Sequence, residues 1–255
     1  MINVPSKLPK AIFLDLDDTI TSFDLTAGPA WEQSCKEFIE KYEPTFSYEE
    51  LMQLIQTTKK WYWGDPERHK RGRENLTLAR REVVHEALLR YAGESYFQSP
   101  EKDTAAMEFA DRYTELQDRM IQVLPGSREA LDTMKKKGIR LAVITNGIAE
   151  KQREKLERFH LTEYFEEIFI DTEIGYSKPD ARIFEYALNK MQLTASDVWM
   201  IGDNIRWDVA GPQAIGIFSV WVNTKKAAPP ADENIQPDLY CDSLYEVSAI
   251  LDIIG

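Results

Sequence analysis

Short apolar runs bounded by polar residues recur along this chain. They are Ala11-Ile12-Phe13-Leu14, Ile139 to Ile144, Ile168-Phe169-Ile170, Val198-Trp199-Met200-Ile201 and Ile217 to Val222. Runs of this length read as strands buried on both faces of a parallel sheet. Leu239-Tyr240-Cys241 adds an edge strand ahead of a final helix. Helical patterns alternate with the strands. One runs from Ser127 to Lys137 and is stopped by Gly138, and a second passes through Leu156 and Phe159. A third is capped by Asp180 and carries Ile183, Phe184, Ala187, Leu188 and Met191. Strand and helix in alternation predict an α/β fold with a doubly wound parallel sheet.

Residues 21–120 follow a different period. Trp31, Cys35, Phe38, Ile39 and Tyr42 recur at helical spacing, and Ser47 with Glu50 forms a capping box ahead of Leu51, Leu54, Ile55, Thr58 and Trp61. A third helix carries Leu76, Val83, Val84, Ala87, Leu88 and Tyr91. Ser99-Pro100 opens a fourth, with Ala106, Phe109, Tyr113, Leu116 and Met120 inward. The expected organisation is a core domain of residues 1–20 and 121–255, with an all-helical domain of residues 21–120 inserted after the first strand. Asn223 to Pro237, rich in proline and polar residues, is expected to be a loop.

Composition narrows the partners. The net charge of −12 argues against a nucleic-acid backbone, whose binding needs a basic face, but leaves room for a small anion in a locally positive pocket. Cys35 and Cys241 match no metal spacing and read as two reduced thiols. His69, His85 and His160 are too scattered for a zinc-type site. No basic-then-apolar leader and no membrane-length apolar run is present. A cytoplasmic protein with neither membrane nor nucleic-acid partner is therefore expected.

Polar groups follow the strands in a pattern that chemistry would need, because ligands of open parallel sheets bind past the carboxyl ends of the strands. The first strand runs into Asp15-Leu16-Asp17-Asp18-Thr19, and the second into Thr145-Asn146-Gly147. Gly175-Tyr176-Ser177-Lys178-Pro179 comes next, and the fourth strand ends in Gly202-Asp203, with Asp208 five positions on. If the first strand continued to Asp17, Asp15 and Asp17 would point the same way. They would then repel by roughly 4 kcal/mol at about 4 Å and an effective dielectric near 20, so a cation or a shared proton is required. Asp18 reads as an exposed turn acid. Thr145-Asn146-Gly147 serves as a helix cap, an anion site, or both.

These four stations, in this order, resemble the signatures of the haloacid dehalogenase-like hydrolases. Those are an Asp-x-Asp-x-Thr after the first strand, a Thr or Ser after the second, a Lys, and a Gly-Asp followed shortly by Asp. The likeness covers residues 10–20 and about 121–222, and the helical insertion resembles the family's small cap domain. Trp61 to His69, with Arg80-Arg81-Glu82, is similar to bacterial relatives of sialic-acid-phosphate phosphatase and pyrimidine nucleotidase.

The resemblance implies a Mg²⁺-dependent phosphatase of small phosphorylated metabolites, monomeric or homodimeric. Asp15 would be the nucleophile and Asp17 the general acid and base, favoured for this by crowding of like charges. Mg²⁺ would be held by Asp15, Asp203 and the carbonyl of Asp17. Lys178, Thr145 and Asn146 would bind phosphate, Thr19 would orient Asp17 and its turn, and Asp208 would act through a water or by holding Lys178. The alternatives are a 2-haloacid dehalogenase or phosphomutase of the same superfamily, or a non-catalytic regulatory member. Trp61, Tyr62 and Trp63 are bundle core or a substrate platform. The basic cluster Arg68, His69, Lys70, Arg71 and Arg73 is a solvated face or a source of substrate contacts.

Overall fold

A computed structural model describes residues 7–43, 45–228 and 235–254, and for Arg73 and Glu74 the backbone alone. In chain order the elements are β1 (Ala11–Leu14), α1 (Asp24–Tyr42), α2 (Tyr48–Trp63), α3 (Pro66–Glu74), α4 (Leu76–Ala92) and α5 (Pro100–Met120). There follow α6 (Ser127–Lys136), β2 (Arg140–Thr145), α7 (Ala149–Arg158), β3 (Glu167–Ile170), α8 (Asp171–Ile174) and α9 (Ala181–Met191). The chain continues with β4 (Val198–Gly202), a π-helical turn (Ile205–Ala210), α10 (Gly211–Gln213), β5 (Phe218–Val222), β6 (Leu239–Cys241) and α11 (Leu244–Ile254). Two compact units result, 1–22 with 122–255, and 23–121. No helix among the described residues is long and apolar enough to cross a membrane.

The first unit is an α/β doubly wound fold. Its six strands lie in the order β3-β2-β1-β4-β5-β6, all pairs parallel. Alternation sends Ile12, Leu14, Leu141, Val143, Trp199 and Ile201 to one face, where Leu131, Met134, Val247 and Leu251 of α6 and α11 cover them. Ala11, Phe13, Ala142, Ile144 and Met200 go to the other, against Ile183, Phe184 and Ala187 of α9. Burial on both faces is why these strands read as unbroken apolar runs. The chain winds outward from β1 through β2 to β3, then returns to the other side of β1 as β4. That reversal opens a crevice at the carboxyl ends of β1 and β4, the usual ligand site of such sheets. β6 is the expected edge strand. Of the expected loop from Asn223 to Pro237, residues 229–234 lie outside the described residues. Cys35 and Cys241 are free and buried, and burial pushes each thiol up to about 12.

The second unit is all helical. Trp31, Cys35, Phe38, Ile55, Val84, Leu88, Phe109 and Tyr113 share its main core. Among the described residues, five α-helices stand where the apolar period predicts four. The additional one, α3, is polar throughout, so periodicity misses it, but Asp65 caps it by accepting from the Arg68 N–H at 2.9 Å and Pro66 occupies its first turn. The aromatic triplet divides. Tyr62 is fully buried with Trp63 packed beside it, whereas Trp61 is exposed beneath the guanidinium of Arg68, 3.8 Å from its ring centre. Arg68 also donates to the Trp61 carbonyl at 2.8 Å, and Arg71 pairs with Glu82 at 2.8 Å. The side chain of Arg73 lies outside the described residues.

The expected capping box at α2 is built with a relay. Ser47 Oγ accepts from the Glu50 N–H at 3.3 Å. The return bond passes through Tyr91, whose hydroxyl accepts from the Ser47 N–H at 3.0 Å and donates to the Glu50 carboxylate at 3.1 Å. Tyr91→Phe keeps the ring against Phe46 but removes both bonds. We expect it to destabilise the chain by about 1 kcal/mol in urea unfolding with the m-value unchanged. An unchanged midpoint would remove the relay from the account.

Candidate active site

β1 ends at Leu14, so Asp15 and Asp17 lie past the strand and its alternation does not decide how the two side chains point. The Asp15 N–H still donates to the Ile201 carbonyl of β4 at 2.9 Å, which seats the residue at the crevice. Its carboxylate accepts from Lys178 Nζ at 2.7 Å, and the same ammonium reaches Asp208 at 2.6 Å. Asp15, Lys178 and Asp208 are 6%, 2% and 1% exposed, so this is a desolvated charge cluster. Asp203 completes it from the end of β4. One carboxylate oxygen from each of Asp15, Asp203 and Asp208 lies within 4.8 Å of the others.

Electrostatics follow from burial. Loss of water raises the Asp15 carboxyl well above the usual carboxylate range, with Asp208 and Asp203 adding to it and Lys178 opposing. Asp203 is pushed up to about 7, again chiefly by burial and against the pull of Lys225. Burial alone would lower the Lys178 pKa, but Asp15 and Asp208 outweigh it and hold the group above the ordinary lysine value.

Asp208 belongs to this cluster because of local backbone geometry. The π-helical turn is capped by Asn204, whose side chain accepts from the Arg206 and Trp207 N–H groups at 3.1 Å each. The Asn204 N–H in turn donates to Asp208 at 3.0 Å. The carboxylate then lies over Gly202, where a Cβ would sit 2.2 Å from Asp208 Cγ. Only glycine fits at that position. Asn146 brackets the lysine. Its side-chain amide donates to the Lys178 carbonyl and accepts the Lys178 N–H, both at 2.9 Å, so the side chain fixes the lysine's backbone. Thr145 is buried at the end of β2 and accepts from Gln152 Nε2 at 2.7 Å.

Three further residues sit differently from their sequence readings. Thr19 donates to Asp15, at 3.4 Å, and it is Thr21 that reaches Asp17, also at 3.4 Å. Asp18 is 3% exposed with φ of +60°, and pairs with Lys225 Nζ at 2.8 Å. The exposed turn acid is thus a buried one, drawn in because Lys225 also holds Asp203 at 3.0 Å. Asp17 is crowded by a cation instead of a second acid. Lys155 Nζ donates to one of its oxygens, and Gln152 Nε2 donates to the other at 3.0 Å.

A family model for haloacid dehalogenase-like hydrolases matches residues 9–216, which span the strand-end stations just described. The chain belongs to the haloacid dehalogenase-like hydrolase family. It is 33% identical over 168 residues to a phosphoserine phosphatase of Thermus thermophilus, covering 66% of this chain and 63% of that protein. It is 29% identical over 241 residues to the pyrimidine 5'-nucleotidase YjjG of Escherichia coli, covering 94% and 96%. A crystal structure of a 2-haloacid dehalogenase from Pseudomonas syringae pv. Tomato DC3000 superposes with a TM-score of 0.61 at 25% identity, covering 97% of this chain and 100% of that one.

For this hydrolase, sequence reasoning missed Gln152, Lys155 and Lys225. The first two carry a readable signal. They fall on the inner stripe of α7 with Leu156 and Phe159, so polar residues stand where the pattern calls for apolar ones. Lys225 follows β5 in a loop and has no such mark.

Proposed function

We propose that the chain is a Mg²⁺-dependent phosphatase of small phosphorylated metabolites. The observation that carries this is the buried ammonium of Lys178 set between Asp15 and Asp208, at the crevice between adjacent strands, with Asp203 in reach of both acids. Four carboxylates there (Asp15, Asp18, Asp203, Asp208) face two ammonium groups (Lys178, Lys225), leaving a formal deficit of two positive charges. An all-oxygen donor set with that deficit fits a hard divalent cation. Asp15 and Asp203, with the Asp17 carbonyl, would hold it. Bound there, the ion supplies Lewis-acid polarisation of a phosphoryl oxygen.

The chain's own groups perform the transfer. An oxygen of Asp15 forms a bond to phosphorus as the bond to the ester oxygen breaks, and the departing oxygen takes a proton from Asp17. The product is an aspartyl-phosphate on Asp15. Water then gives a proton back to Asp17 and attacks the phosphorus, releasing inorganic phosphate and restoring the Asp15 carboxylate. Lys178 offsets phosphate charge throughout, and the Thr145 hydroxyl donates to a phosphate oxygen. Asn146 serves by holding Lys178 in place.

The named phosphatase and nucleotidase relatives support this reading and supply the test panel. Purified protein is assayed for phosphate release from phosphoserine, pyrimidine nucleoside monophosphates, sugar phosphates and phosphoglycolate, ranked by kcat/KM with Mg²⁺ and again after chelation. Expected is release that requires the cation. Metal-independent chloride release from chloroacetate, with all phosphate esters inert, would overturn it.

A further inference from the structure

Asp17 has an unusual setting for a proton-transfer group. It follows the end of β1 in a turn whose next residue has positive φ, outside the strand ladder. Its carboxylate is instead gripped from a distant helix. Lys155 holds one oxygen, and Gln152 holds the other at 3.0 Å. These two residues are themselves joined, Lys155 Nζ to Gln152 Oε1 at 2.9 Å. The Gln152 amide also reaches Thr145 Oγ1 at 2.7 Å and the Asn146 carbonyl at 3.3 Å. One rigid helix therefore ties the Asp17 carboxylate to the turn after β2.

Stability alone does not call for this arrangement. Lys155 is 8% exposed beside the fully buried Leu156, and Gln152 is 3% exposed. Replacing both partners of a buried ion pair by packed hydrocarbon is often neutral or stabilising, so folding alone does not require an acid at 17 matched to an ammonium at 155. We propose that Gln152 and Lys155 are positioning residues for Asp17, fixing its carboxylate relative to the phosphate-binding turn so that the proton it gives meets the departing ester oxygen. The proposal rests on the phosphatase reading above. Misplacement of a reacting group by about 1 Å costs on the order of 10²-fold in rate.

The test uses two esters and the parameter kcat/KM, which reports the steps up to the first phosphoryl transfer. An alkyl phosphate has a poor leaving group that must be protonated as it departs, whereas p-nitrophenolate leaves unaided. With Mg²⁺ present, Lys155→Met is expected to lower kcat/KM for the alkyl phosphate by about 10²-fold while leaving p-nitrophenyl phosphate within roughly threefold. Lys155→Gln should show the same selectivity, and serves as the test if Lys155→Met does not fold. In an Asp17→Asn background neither change should lower alkyl phosphate turnover further. Equal losses on the two esters, or a full additional loss in that background, would overturn the proposal while leaving an active phosphatase. A wild type that turns over neither ester removes the phosphatase reading and this proposal with it.

Discussion

Asp15→Asn is expected to abolish phosphate release, by about 10⁴-fold or more, while the protein stays folded. An amide is isosteric with the carboxylate but is a far weaker nucleophile towards phosphorus, and nucleophile knockouts in covalent catalysis remove most of the rate. Folding should not suffer. The introduced amide still offers Lys178 a carbonyl oxygen, and one negative charge leaves a cluster in which burial already disfavours the ionised acid. We therefore expect a Tm at or above that of the wild type in metal-free buffer, together with loss of turnover on every ester in the panel. Trapping makes the prediction sharper. Rapid acid quench of the wild type with ³²P-labelled substrate should leave label on the protein, and Asp15→Asn should leave none. Label on both would move the nucleophile elsewhere.

The parts of this molecule that were legible beforehand share one property, that a local pattern encodes them. β1, β2 and β4 are buried on both faces, so composition alone marks them, and the acids and polar groups that end them are adjacent in sequence to what they follow. Order along the chain then brought Asp15, Thr145, Lys178 and Asp203 to one rim. What was not legible depends on contacts across long separations. Lys155 meets Asp17 from 138 residues away, and Thr224 donates to the Asp18 carbonyl from 206 away. Nothing local to Asp18 says that a loop after β5 will deliver Lys225 to it and bury it. α3 failed for the opposite reason: its caps are local and readable, but it has no apolar face to announce a helix. Thr19, which the resemblance assigned to Asp17 and its turn, donates to Asp15, and Thr21 reaches Asp17 in its place.

Lys178→Met should damage stability as well as turnover, and its stability effect is the larger informative one. The Lys178 ammonium touches both Asp15 and Asp208, and all three groups are nearly without solvent. A methionine fills similar volume but leaves two carboxylates facing each other. Removing one partner of a buried ion pair destabilises by about 3–5 kcal/mol, which for a chain of this size corresponds to a fall in Tm of roughly 10 °C. The origin of that loss is testable. If it is uncompensated negative charge, Asp208→Asn placed on top of Lys178→Met should recover part of the lost stability, even though alone it removes a partner of Lys178. Lost packing would instead make the two changes additive. Mg²⁺ discriminates further: an added divalent cation should raise the Tm of Lys178→Met more than that of the wild type, because the charge deficit it neutralises has grown from two to three. Recovery by neither the second substitution nor the cation would mean that Lys178 is held in this crevice for its shape and not its charge.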